Sequence, residues 1–429
     1  MMEQIGIFDG ASPLKITKPI RLIELFAGYG SQALALKYLG VPFEHHRICE
    51  WAVKSIQAYK DLHFPDDCTD YSAGIPSEKI ESFLSERGIS ADYNKPMTRE
   101  QIHRLGEKQQ RKIYNNIKAT RNLVSVCSCN AENLAITDTD KYTYIMTYSF
   151  PCQDLSIAGN MAGMERGSGT RSGLLWEVER LLREAKNKPQ ILLMENVPEV
   201  IGKRNIKHFA EWLKFLESLG YKCYWKCLNA KDFSVPQNRN RCFMVSVLGD
   251  MFYNFPQPIH LQSRLKDILE DTVDKKYFLS EKMIRCFIKH NEKQKEKGGG
   301  FMWGITESDG IAKTITTKAG SRAGDTYIEV CGHISSMREQ TGRVYGTNGI
   351  SPTLTTCCGG NLQPFIQVNN ANNVGMIRKL TPKECFRLMG VRDDDFEKIA
   401  KHQSDSSLYH LAGDSIVVDV LKAIFNKML

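Results

Sequence analysis

The run Ile20-Arg21-Leu22-Ile23-Glu24-Leu25-Phe26-Ala27, passing straight into Gly28-Tyr29-Gly30-Ser31-Gln32-Ala33, narrows the fold more than any other part of the chain. An apolar stretch of strand length meets a glycine-rich turn, and a helical stretch from Ser31 to Leu39 follows. A short strand ending at Glu50 and a helix from Trp51 to about Lys60 come next. This strand–helix–strand–helix opening marks an α/β protein built on a parallel sheet. The turn is a G-x-G-x-x-A version of the dinucleotide fingerprint, whose glycines let the backbone turn tightly and approach a ligand. Glu50, at the end of the second strand, is placed to bind ribose hydroxyls. NAD, FAD and S-adenosylmethionine all satisfy this much of the pattern.

At 429 residues the chain is longer than one core usually grows, so two domains are expected. The α/β rhythm covers 18–255. It is interrupted at about 75–122 by a polar, charged segment that reads as a helical insertion on the rim of the sheet, with a DNA-facing arm as its functional alternative. Strands are expected at Tyr144–Ser149, Gln190–Val197, 221–229 and 241–248, and helices at Leu174–Glu184 and Phe209–Leu219. From Pro256 the texture changes to short β-like pieces and many glycines, which predicts a smaller, mainly β domain over 256–372. Residues 373–429 turn helical and return to the first domain.

Formal net charge is +8, which fits a polyanionic partner. With 42% hydrophobic and 25% charged residues, the chain can pack a core and is not a disordered one. Its thirteen cysteines are odd in number and show no C-x-x-C spacing, so a secreted disulfide framework and a zinc finger are both set aside in favour of reduced thiols, and no metal is expected. No apolar run approaches the roughly 20 residues of a membrane span. A cytoplasmic protein is the expectation.

Three strand ends carry chemistry. Phe150-Pro151-Cys152-Gln153 follows a buried strand at the place where open α/β sheets bind ligands, and a glycine-rich stretch to Gly173 could close over a substrate. Glu195-Asn196-Val197 ends the next strand on the same edge. Gln237-Asn238-Arg239-Asn240-Arg241 precedes another strand; in an extended segment Gln237, Arg239 and Arg241 share one face, and three donors in a row suit a phosphate or a polar base edge.

In this order these pieces resemble the cytosine-C5 DNA methyltransferases: Phe26-Ala27-Gly28-x-Gly30, Pro151-Cys152-Gln153, Glu195-Asn196-Val197, Gln237-x-Arg239-x-Arg241, then Arg378 to Gly390 and Gly413-Asp414-Ser415. The resemblance implies a Rossmann-like S-adenosylmethionine-dependent methyltransferase domain with a target-recognition domain in the variable region. It implies Cys152 as nucleophile, Glu195 as the acid that engages the base, and Arg239 and Arg241 as supports of the flipped base. It makes Phe26, Gly28, Gly30, Glu50, Trp51, Asn133, Pro151, Asp414 and Ser415 cofactor contacts. Gln153, Gln237, Lys318, Arg322, Arg338 and Arg343 become candidates for DNA contact. The chain departs from the pattern at Asp414, where the family usually has asparagine, and near the adenine, where Glu132 and Asn133 stand in the expected place.

The resemblance also implies the reaction: methyl transfer to C5 of a flipped-out cytosine in double-stranded DNA, with S-adenosylhomocysteine as product. The expected agent is a monomeric bacterial or phage enzyme that pairs functionally with a restriction endonuclease. The rivals are a tRNA methyltransferase on the same scaffold, a non-catalytic DNA-binding module and a Rossmann oxidoreductase. The last would explain Gly28 to Glu50 and leave the later motifs without a purpose.

Overall fold

The computed structural model describes residues 12–151, 164–166, 171–274, 276, 330–333, 343–345, 351–352, 365–368 and 376–429. Its centre is a six-stranded sheet of β1 (Ile20–Leu25), β2 (Phe43–Cys49), β3 (Thr143–Tyr148), β4 (Ile191–Asn196), β5 (Tyr221–Asn229) and β7 (Asn240–Leu248), in the order β2-β1-β3-β4-β7-β5. The pairs β2–β1, β1–β3 and β3–β4 are parallel; β7 runs antiparallel between β4 and β5. This reversal positions the site. The parallel strands deliver their C-terminal residues to one edge, and the antiparallel β7 brings its N-terminal end, Arg241 and Cys242, to that same edge, with Cys242 opposite Asn196.

Both sheet faces are covered, as near-continuous apolar strands require. Alternation along β1 sends Leu22 to one face and Ile23 and Leu25 to the other. The first face packs α1 (Ser31–Tyr38) and the C-terminal helices α8 (Pro382–Arg387), α9 (Asp393–Ala400), α10 (Asp405–Asp414) and α11 (Val418–Asn426). The second packs α6 (Leu175–Glu184) and α7 (Ile206–Ser218), with Trp212 and Phe209 fully enclosed. Helix α8 starts at a capping box: the Thr381 hydroxyl accepts from Glu384 N, and the Glu384 carboxylate from Thr381 N.

The expected insertion is helical: α3 (Ser77–Arg87), α4 (Arg99–Arg104) and α5 (Glu107–Ala119). Ile80, Leu84, Ile102, Ile113 and Ile117 form their own small core against Ile56 of α2 (Val53–His63). Beyond residue 256 the described pieces include a four-stranded sheet of β8 (Val330–His333), β9 (Arg343–Tyr345), β11 (Phe365–Val368) and β12 (Met376–Lys379), in the order β12-β11-β9-β8. The strand β10 (Ser351–Pro352) pairs instead with β6 (Gln237–Asn238). Among the described residues no helix is long and apolar enough to cross a membrane.

Candidate active site

The glycine-rich turn is held from behind and open in front. Phe26, Gly28 and Gly30 all have positive φ, +59°, +57° and +85°. A side chain on Gly28 would meet no atom within 4 Å, so the backbone there faces open space. Gly30 is different: a Cβ would run into the rings of Tyr59 and His63 on α2. The second glycine is therefore demanded by packing behind the turn, whereas the sequence pattern assigns both glycines to ligand approach. His63 Nε2 also donates to the Tyr29 carbonyl at 3.0 Å, and Tyr59 donates to the buried Glu24 at 2.6 Å.

Glu50 sits at the end of β2 with its carboxylate on Gly28 N–H (2.9 Å) and Ala52 N–H (2.7 Å). Burial pushes its acid up to about 7, against the pull of those donors. Asn122, at the exit of the insertion, accepts from Glu50 N at 3.0 Å and donates to Glu50 O at 2.8 Å. The neighbouring Trp51 is half-buried, and its carbonyl accepts from Ser90 N at 2.8 Å. The insertion thus fixes both residues expected to line a cofactor pocket. Asn133 lies in the turn Ala131–Leu134 and uses its amide oxygen on Asn130 N, capping its own turn.

At the ends of β3 and β4, Asn196 Nδ2 donates to the Phe150 carbonyl at 3.0 Å, and Ser172 Oγ to the Pro151 carbonyl at 2.7 Å. The chain that enters Cys152 is pinned from both sides. Cys152 itself lies outside the described residues, as do Gln153, Lys318, Arg322 and Arg338. Arg343 is described only as part of β9. Glu195 is 8% exposed and pairs with Arg241 Nε at 3.2 Å. Burial raises its acid above the ordinary range, while Arg241 and Arg239 pull it down.

Arg239 is buried and reaches across to the C-terminal segment, its Nη2 donating to the carbonyls of Gly413 (2.9 Å) and Ser415 (2.7 Å). Tyr29 Oη donates to Ser415 Oγ at 3.0 Å, which ties the same segment to the glycine turn. Asp414, between those anchors, is half-exposed. Gln237, read from the sequence as a DNA-facing donor, has no exposed surface; its Nε2 donates to the Leu388 carbonyl at 2.7 Å and holds the end of α8 to β6.

Sequence reasoning missed Tyr29, Asn122, Ser90 and Asn196 as supports. Only Asn196 had a signal, its place beside Glu195 at a strand end. The arrangement presents an open glycine turn with the Glu50 carboxylate on the Gly28 amide, and, at the end of β4, the buried, arginine-paired acid Glu195. The residues fit a nucleoside-bearing cofactor on one side and a ring that accepts a proton or hydrogen bond on the other.

Residues 91–429 match the family described as C-5 cytosine-specific DNA methylase. The chain is 31% identical over 411 residues to the type II methyltransferase M2.ScrFI of Lactococcus lactis subsp. cremoris, covering 95% of this chain and 99% of that one. It is also 31% identical over 420 residues to the orphan methyltransferase M.SssI of Spiroplasma monobiae, covering 96% and 98%. Among solved structures, the S. pombe Dnmt2 methyltransferase shares the fold with a TM-score of 0.57 at 15% identity, over 95% of this chain and 98% of that one. The chain belongs to the C-5 cytosine-specific DNA methylases.

Proposed function

We propose that this enzyme methylates C5 of a cytosine flipped out of a specific double-stranded DNA site, with Cys152 as nucleophile and Glu195 as the proton-holding partner of the base. The observation that supports it best is the meeting of Glu195, Arg241 and the pinned Phe150–Pro151 carbonyls at one sheet edge, with Arg239 and Tyr29 joining that edge to the glycine turn through residues 413–415.

S-adenosylmethionine, when bound, supplies an electrophilic methyl group. Phe26, Gly28, Gly30, Glu50, Trp51, Asn133, Pro151, Asp414 and Ser415 would surround it, with Glu50 taking the ribose hydroxyls. The thiolate of Cys152 adds to ring C6, and the C5–C6 π pair makes C5 nucleophilic. Glu195 holds a proton at N3, offsetting the charge that develops on the ring. Its burial favours the protonated form, and Arg241 keeps the group within reach of ionisation. Arg239 braces the pocket and donates to O2. Once C5 is methylated, water takes the C5 proton, the C–H electron pair restores the C5=C6 double bond, and the C6–S bond breaks to release Cys152 as its thiolate. The target atom is unreachable inside a duplex, so the base must flip; residues 256–372 are proposed as the reader of the flanking sequence, with Lys318, Arg322, Arg338 and Arg343 on DNA.

The enzyme is proposed to act as a monomer. The type II name of M2.ScrFI supports a restriction endonuclease as functional partner. The test of the central reading is Cys152→Ala: methyl transfer to DNA should vanish while S-adenosylmethionine binding survives, and a 5-fluorocytosine duplex should trap the wild type covalently. Ordinary turnover by the variant would rule out the covalent route.

A further inference from the structure

The motif around Asp414 introduces an acidic side chain between the two halves of the site. Its neighbours on both sides are anchored: Arg239 holds the carbonyls of Gly413 and Ser415, and Ser415 Oγ accepts from Tyr29, the residue between Gly28 and Gly30. Gly28 N–H in turn donates to Glu50. Position 414 is thereby fixed between the turn that would hold the donor and the arginine beside Glu195. The carboxylate itself is not consumed by a strong ion pair. Its partner is His410 Nε2 at 3.6 Å, and half of its side-chain surface remains open. His410 is itself clamped, its ring lying 3.8 Å from that of Tyr93 in the helical insertion, whose hydroxyl meets Ser55 Oγ on α2 at 3.1 Å.

We propose that Asp414 is a specificity residue that biases the pocket toward the cationic sulfonium donor and away from its neutral thioether product. The two ligands differ by one methyl group and one unit of positive charge. A hydrophobic contact to a single methyl group discriminates weakly, whereas a carboxylate at close range acts on the charge directly. Glu50 and Glu195 are poorly suited to this task, because burial favours their neutral forms. Burial is the chief cause that raises both acids, and the charge of Asp414 adds to it at each. Arg239 and Arg241 are the opposing cations, and each already has acceptors: two carbonyls for Arg239, Glu195 for Arg241.

The proposal rests on the pocket assignment above, and calorimetric binding to the full chain separates the two. Asp414→Asn should weaken S-adenosylmethionine by about tenfold and leave S-adenosylhomocysteine within about twofold. Sinefungin, which carries an ammonium group in place of the methyl sulfonium, should follow the donor. Asp414→Glu should restore the bias. In the wild type, raising salt from about 0.05 to about 1 M should weaken the donor relative to the product, as screening of a half-exposed charge demands. Equal changes for donor and product in Asp414→Asn, or a wild-type ratio indifferent to salt, overturn the role of Asp414. A wild type that binds neither ligand overturns the pocket assignment itself.

Discussion

Replacing each glycine of the turn by alanine separates the two reasons for having them. Both have φ in the left-handed region, where a Cβ costs about 1–2 kcal/mol. For Gly28→Ala that is the whole cost to the fold, since the new methyl meets nothing within 4 Å. For Gly30→Ala the methyl collides with Tyr59 and His63, both held by hydrogen bonds and unable to swing away freely. Overpacking of this kind adds about 1–3 kcal/mol. The expected losses are therefore about 1–2 kcal/mol for Gly28→Ala and about 2–5 kcal/mol for Gly30→Ala. Equilibrium urea unfolding without ligand measures them. Donor affinity, by calorimetry, should run the other way per unit of stability lost: Gly28→Ala fills the open side and should weaken S-adenosylmethionine strongly, while folded Gly30→Ala loses affinity only through its disturbed turn. If Gly28→Ala proves the more destabilising, or binds the donor as tightly as wild type, the assignment of an open front and a packed back is wrong.

The buried acids set a pH dependence. Glu24 and Glu50 are each raised to about 7 by burial, so the folded state holds protons that the unfolded chain has released. Their contribution to stability is full below about 4.5 and is lost as pH rises through about 7; urea midpoints should fall across that window, and Glu24→Gln should flatten the slope. Donor affinity should rise over the same range, as ionised Glu50 accepts both ribose hydroxyls. Asn122→Ala strands Glu50 N–H, Glu50 C=O and Val124 N–H, three bonds of about 1 kcal/mol each, and should raise the donor Kd along with lowering stability by about 3 kcal/mol. Arg239→Met should free residues 413–415, seen as faster amide exchange there and a weaker donor, with unchanged exchange in α7. Arg241→Met removes the cation paired with Glu195, so the alkaline limb of single-turnover methyl transfer should shift upward.

Much of the sheet was readable because its strands are buried on both faces and therefore appear as short continuous apolar runs between turns. Tyr144 to Tyr148 and Ile191 to Met194 are of this kind, and the structure places them as neighbours. The candidate site residues were readable for a related reason. Strands that run parallel end on one edge, so Glu50, Pro151 and Glu195 could be assigned together without knowing strand order. The alternation that suggested a common face for Gln237, Arg239 and Arg241 was silent on what each of them meets. Two of them meet chain from 150 or more positions away, Leu388 for Gln237 and Gly413 and Ser415 for Arg239, while Arg241 meets Glu195. No local pattern encodes such a closure, and a row of donors facing buried carbonyls has the same spelling as one facing phosphates.

The insertion shows the same limit from the other side. Its helices could be expected from composition, but the residues that make it matter are singles in the turn after α3 and at its exit. Asn122 and Ser90 bond the main chain of Glu50 and Trp51, and Tyr93 stacks on His410. Backbone amides at the end of a buried strand need partners, and here the partners come from a segment inserted after the next helix. An element that looks dispensable by its surface charge is thus joined to the pocket by bonds to the two residues that would hold the donor. Deleting it would not simply trim a surface arm: the main chain of Glu50 and Trp51 would lose its partners in Asn122 and Ser90, and the pocket would be expected to fail before the sheet does.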